Sequence, residues 1–176
     1  MKFLRTIRFD PSDLQVYEHA APVDEWAISG AGAFAALADD QIVGKVKQAF
    51  ANGFTGVPSF AHSTFASVAD MSDDARNQIE DALVARFQQH YGAPDEATAR
   101  AAACAEMEEI FSLCDAALIN TVFTVRRWFD ADGEMREAFR TIQPPGDGPL
   151  HARVWAVVED DAELEAGNVT GAKGRA

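Results

Sequence analysis

Three arginines open the search for chemistry. Arg127, Arg136 and Arg140 lie on the segments 119–129 and 134–142, which flank Asp130-Ala131-Asp132-Gly133. Such a turn signal between two strand-like runs reads as a β-hairpin. A two- or four-residue turn pairs even with odd positions, which places all three arginines on one face with Phe123, Val125 and Phe129. Arg126 then falls on the opposite face, with Glu137 in cross-strand reach. Guanidinium groups beside aromatic rings hold carboxylates or phosphates, so this face is a candidate site for an anionic ligand or an acidic partner. The competing expectation is that these arginines neutralise the chain's own acids.

A second candidate is the loop from Gly53 to Ser59, where two glycines and a proline beside aromatic residues can line a pocket; Phe54, Pro58, Phe60 and His62 are the expected lining. His62 cannot activate Ser63, because adjacent side chains on a strand point to opposite faces, and it reads as a structural histidine. Gly30-Ala31-Gly32-Ala33-Phe34-Ala35 has the form of a dinucleotide fingerprint, but no parallel strand with an acid follows, so a close-packed bend is expected. Glu106 and Glu109 stand at i and i+3 on a helix without the Glu-x-x-His partner of a di-metal bundle, and read as a solvated face. Cys104 and Cys114 are too far apart along one helix to bridge and read as packing residues. No metal and no cofactor is expected from these patterns.

The elements that must position these residues follow from periodicity. Residues 2–9 alternate as a strand, and further strands are expected at Leu14 to about Ala20 and Glu25 to Ser29. A helix is expected from Asp39 or Asp40 to Asn52, then a strand from Phe60 to Ala69. Ser72 caps a helix with the stripe Ile79, Leu83, Phe87; Gly92 ends it, and Pro94 and Asp95 start a longer one that packs back as a helical hairpin. The hairpin strands follow, then a last strand from Leu150 to Val158. The expected fold is α+β, a largely antiparallel sheet of about six or seven strands covered by three helices. Residues 1–160 read as one domain and 161–176 as a flexible acidic, Gly-rich tail.

The chain has 176 residues and a formal charge of −13, which disfavours nucleic acid and anionic lipid as partners. No apolar run approaches the roughly 20 residues of a membrane helix, and the amino terminus reads as carrying no secretory signal. A cytoplasmic protein is expected. A homodimer is expected too, through a sheet edge formed by the first or last strand, with Trp26 and Trp155 as anchors.

The opening Met1-Lys-Phe-Leu-Arg-Thr-Ile-Arg-Phe-Asp-Pro-Ser-Asp13 and the segment Phe50 to Ala69 (FANGFTGVPSFAHSTFASVA) resemble a family of small, uncharacterised bacterial proteins. The resemblance implies an association with operons for larger redox enzymes and carries no catalytic residues. With no nucleophile beside a base and no metal set, the expected function is a non-enzymatic accessory or binding protein acting with a larger enzyme. The alternative is a small-molecule enzyme or ligand-binding protein whose pocket lies between the 53–59 loop and the sheet, recognising an anionic group through Arg127, Arg136 and Arg140.

Overall fold

The computed structural model describes residues 1–35 and 37–142. They form an α+β fold built on a seven-stranded antiparallel sheet. Its strands are β1 (Lys2–Ile7), β2 (Trp26–Ile28), β3 (Phe54–Val57), β4 (His62–Ser63), β5 (Phe65–Asp70), β6 (Val122–Phe129) and β7 (Met135–Ile142), in the order β4-β3-β2-β1-β5-β6-β7. The helices are a single turn, α1 (Asp13–Val16), and the longer α2 (Gly44–Asn52), α3 (Asp73–His90) and α4 (Glu96–Asp115). The expected strand at Leu150 to Val158 and the 161–176 tail lie outside the described residues.

β1 has both faces covered, which is why adjacent Phe3 and Leu4 are both buried. On one face Phe3 meets Phe111 of α4, with ring centroids 5.0 Å apart. The other face, carrying Leu4, Ala27, Phe54, Ala66, Val68, Phe123 and Val125, closes on itself. Phe54 of β3 stacks on Phe139 of β7 with centroids 6.1 Å apart, although β2, β1, β5 and β6 lie between them in the sheet. The sheet is therefore strongly curled, and β6 and β7 wrap back toward β2, β3 and α2.

The α3–α4 hairpin forms as its sequence signals dictate. The Ser72 hydroxyl accepts from the Ala75 N–H at 3.2 Å and the Asp95 carboxylate from the Thr98 N–H at 2.7 Å, so each helix opens on a side-chain cap. The stripe Ala99, Ala103, Met107, Ile110 and Cys114 is buried. Arg100 of α4 bonds Glu80 of α3 at 2.6 Å.

Several expectations are corrected. Leu14 to Ala20 is not a strand: Asp13–Val16 is a helical turn, because the buried Asp13 carboxylate accepts from the Thr64 hydroxyl at 2.6 Å and from its N–H at 3.2 Å, which ties the segment down through a polar residue. Leu14, the first residue of that expected strand, is exposed. The helix expected from Asp39 or Asp40 begins only at Gly44, after a separate 3-10 turn at Asp39–Gln41. The first strand is central, so among the described residues the sheet edges are β4 and β7. Trp26 is internal on β2 under the Arg5 guanidinium, which lies 4.1 Å from its ring centroid, and Trp155 falls outside the described residues. Cys104 is exposed while Cys114 packs in the core. Among the described residues no helix is long and apolar enough to cross a membrane.

Candidate functional site

The hairpin turn sets which side chains meet. The Asp130 N–H donates to the Glu134 carbonyl at 2.9 Å, and the Gly133 N–H donates to the Asp130 carbonyl at 3.0 Å. Gly133 takes a left-handed φ of 79°, which a glycine adopts without steric cost. The Asp130 carboxylate also accepts from the Asp132 and Glu134 N–H groups at 3.0 and 2.9 Å, holding the turn from within. Phe129 pairs with Met135, and up the ladder Arg127 pairs with Glu137 and Trp128 with Arg136. An odd number of residues in the turn pairs odd positions with odd. The expectation that Arg127, Arg136 and Arg140 share a face is therefore corrected, since one residue of register moves a side chain to the other side of the sheet.

Facing inward are Phe123, Val125, Arg127, Glu137 and Phe139. Arg127 is only 2% exposed, and all of its donors are engaged. Nε donates to Glu137, Nη1 to the carbonyls of Phe50 at 3.0 Å and Gly53 at 2.8 Å, and Nη2 to the carbonyl and hydroxyl of Ser29. The Ser29 hydroxyl in turn donates to the Glu137 carboxylate at 2.7 Å. Phe50 and Gly53 are at the carboxyl end of α2, so a cation from β6 caps that helix where its dipole favours positive charge.

This buried cation also biases its neighbours. Burial pushes Glu106 of α4 up to about 7; Glu109 and Glu137 push the same way and Arg127 opposes them. Burial likewise raises Glu109. Burial, then Arg127, pulls His62 down to about 4, and its ring stacks on Phe34 at 5.8 Å. Burial raises Tyr17 to about 12, and its hydroxyl bonds that of Thr64 at 2.9 Å. Glu106 is therefore not part of a solvated face, and its Oε2 is buried with no hydrogen-bond partner.

Facing outward are Thr124, Arg126, Trp128, Arg136, Ala138 and Arg140. Trp128 is 41% exposed and lies beside the Arg126 guanidinium, 6.0 Å from ring centroid to Cζ. Arg136 donates from Nε to Asp130 at 2.6 Å, and this bond holds the Asp130 carboxyl below its usual range. Among the described residues, neither Arg126 nor Arg140 has a carboxylate within ion-pair distance. The outward face thus keeps three arginines, with Arg126 in the place expected for Arg127. The signal that would have found it is the spacing Asp130-x-x-Gly133-Glu134, an acid able to hold its own turn with a glycine at the left-handed position.

The other expected lining residues are dispersed. Phe54 points into the curled interior, whereas His62, paired with Thr55, lies on the opposite face. Pro58 is exposed beyond a cis Val57–Pro58 bond. Phe60 and Thr55 border a cavity of about 20 Å³ with Ile28, Gly30, Gly32 and Glu106, space for about one water. Gly30 makes the close-packed bend: a Cβ there would fall on the Thr55 hydroxyl, and its φ is 84°. Among the described residues no group of three or more His, Cys, Asp or Glu is placed to hold a metal ion.

No curated protein and no solved structure matches this chain. Residues 1–157 match a family described as a family of unknown function, DUF6505, and the chain belongs to that family.

Proposed function

We propose that this chain is a binding protein that recognises an acidic protein segment through the outward face of the β6–β7 hairpin. The observation that carries the reading is the placement of Arg126, Arg136 and Arg140 around the exposed Trp128, on a chain whose formal charge is −13. An acidic protein keeps a cationic patch against its own field, and the single carboxylate bonded to it among the described residues, Asp130, belongs to the turn.

Spacing selects the kind of anion. Arg136 and Arg140 are four residues apart on one strand, roughly 13 Å at about 3.3 Å per residue. One phosphate cannot bridge that distance, whereas carboxylates distributed along an extended segment can. Among the described residues β7 is also an edge strand, so its outer backbone edge runs beside the arginines. This arrangement suits an accessory role toward an acidic partner and involves no catalytic group.

A fluorescent hexaglutamate peptide titrated by anisotropy tests it. Removing Arg126 or Arg140 should weaken binding by about 1 kcal/mol each, the upper range for exposed ion pairs. Removing Arg126, Arg136 and Arg140 together should abolish it, and raised salt should weaken the wild type. Affinity unchanged in the triple variant sinks the reading.

A further inference from the structure

A second site lies on the other side of Trp128, in a groove of about 340 Å³ between α2 and the end of β6. Its walls are Ile42, Phe50, Ala51, Trp128 and Phe129, its floor is Arg127, and Lys47 stands at its rim. The volume is at the small end of the ligand-pocket range of roughly 300–1,000 Å³. None of Arg126, Arg136 and Arg140 lines it.

The lining is chemically selective. The chain has 28 Asp and Glu residues, yet among the described residues the groove is lined by two cations and no acid. Arg127 cannot bond an occupant, because its five N–H groups are already donated to Glu137, Phe50, Gly53 and Ser29. Lys47 is exposed and, among the described residues, its ammonium makes no hydrogen bond or ion pair. The walls are flat rings. Phe50 and Phe129 stack at 5.0 Å with 14° between their planes, while Phe129 and Trp128 remain 38% and 41% exposed, large aromatic surfaces left uncovered.

We propose that this groove binds a small aromatic carboxylic acid, its carboxylate on Lys47 and its ring against Phe129 and Trp128. The charge of the lining selects the acid, the stacked rings select an aromatic body, and the volume limits that body to one or two rings.

The probes are 1-naphthoate, the uncharged 1-naphthalenemethanol and the aliphatic octanoate, titrated calorimetrically into the full chain while the Trp128 indole N–H is followed by NMR. Naphthoate should saturate and shift that signal, with the alcohol and octanoate at least about tenfold weaker. Lys47→Gln, at an exposed position that leaves the fold intact, should weaken naphthoate about tenfold or more, the span of a hydrogen bond to a charged group, and leave the alcohol unchanged. Failure of millimolar naphthoate to shift the indole signal overturns the site. Equal binding of the alcohol overturns the charge assignment, and equal binding of octanoate the aromatic one. An unchanged naphthoate affinity in Lys47→Gln removes Lys47 from it.

Discussion

Arg126 and Arg127 are adjacent in the chain and opposite in consequence. Arg127 points into the curled sheet, where it joins β2, β7 and the end of α2 through a fully donated guanidinium. Arg126 points outward beside Trp128 with no carboxylate within ion-pair distance among the described residues. Charge and residue type are the same, so the difference lies in strand register alone. An arginine whose donors are all used within the fold is architecture, whereas one whose donors face water keeps them for a ligand.

The largest expected effect comes from exchanging the two. Arg127→Met should cost about 3–5 kcal/mol, because it strands the Glu137 carboxylate and leaves the carbonyls of Ser29, Phe50 and Gly53 without their donor. Arg126→Met should stay within about 0.5 kcal/mol of wild type, as exposed substitutions do. Urea denaturation of both variants reads the contrast directly. Equal losses would mean that the inward network does not carry the packing of α2 on β6.

The next effect is on the pH dependence around Arg127. Glu106 has a folded value raised to about 7, above that of an unfolded glutamic acid. The native state therefore holds the extra proton, and stability falls as pH rises from about 4.5 to 7. His62 is the reverse. Its folded value of about 4 is below the unfolded one, so stability is lost as pH falls from about 6.5 to 4. Each slope is about 1.4 kcal/mol per pH unit, and the two oppose each other between about pH 4.5 and 6.5. For these two groups alone the wild type would be nearly flat in that window, and the raised Glu109 adds a falling slope. Glu106→Gln should expose the rising His62 limb and be more stable than wild type by roughly 2–3 kcal/mol at pH 8. Melts of the two proteins across this range that run parallel would show that Glu106 titrates as an ordinary surface acid.

A smaller effect tests the turn that sets the register. Gly133→Ala places a β-carbon at a φ of 79° and should cost about 1 kcal/mol. The Arg127 pairing with Glu137 should survive, since Asp130 still closes the turn. Backbone amide shifts of Val125 and Glu137 that move as a block would instead mean that the glycine alone holds the register.

The extent to which all this was legible in the sequence follows the range of the interactions involved. Ser72 and Asp95 cap their helices through bonds to residues three positions on, and the stripe Ala103, Met107, Ile110 and Cys114 repeats with the helical period; both are local, and both were readable. The hairpin was readable, but its pairing was missed, because that depends on whether Asp130 bonds within its own turn, a choice of one residue that propagates to every side chain on the strand. The strand expected at Leu14 to about Ala20 failed for a related reason: that segment is fixed by Asp13 meeting Thr64, a contact across 51 positions with no periodicity to betray it. The burial of Glu106 and the groove beside Phe129 depend on how far the sheet curls, which no single segment encodes.

The smallest stability effect and the sharpest functional one meet at Arg136. Its only ion pair among the described residues is with Asp130, at a side chain 57% exposed, where water screens the attraction and holding a long side chain costs entropy. Arg136→Ala should therefore shift the unfolding midpoint very little. Asp130 keeps its bonds to the Asp132 and Glu134 N–H groups and needs no arginine to hold the turn. Acidic-peptide binding should nevertheless weaken, because Arg136 pairs directly with Trp128 at the centre of the outward face. Raising salt should weaken peptide binding in the wild type more than in the variant, which has one cation fewer to screen. A variant that loses several kcal/mol of stability would make Arg136 architecture like Arg127. Full stability with unaltered peptide affinity and an unaltered salt dependence would leave the outward face without a role in recognition.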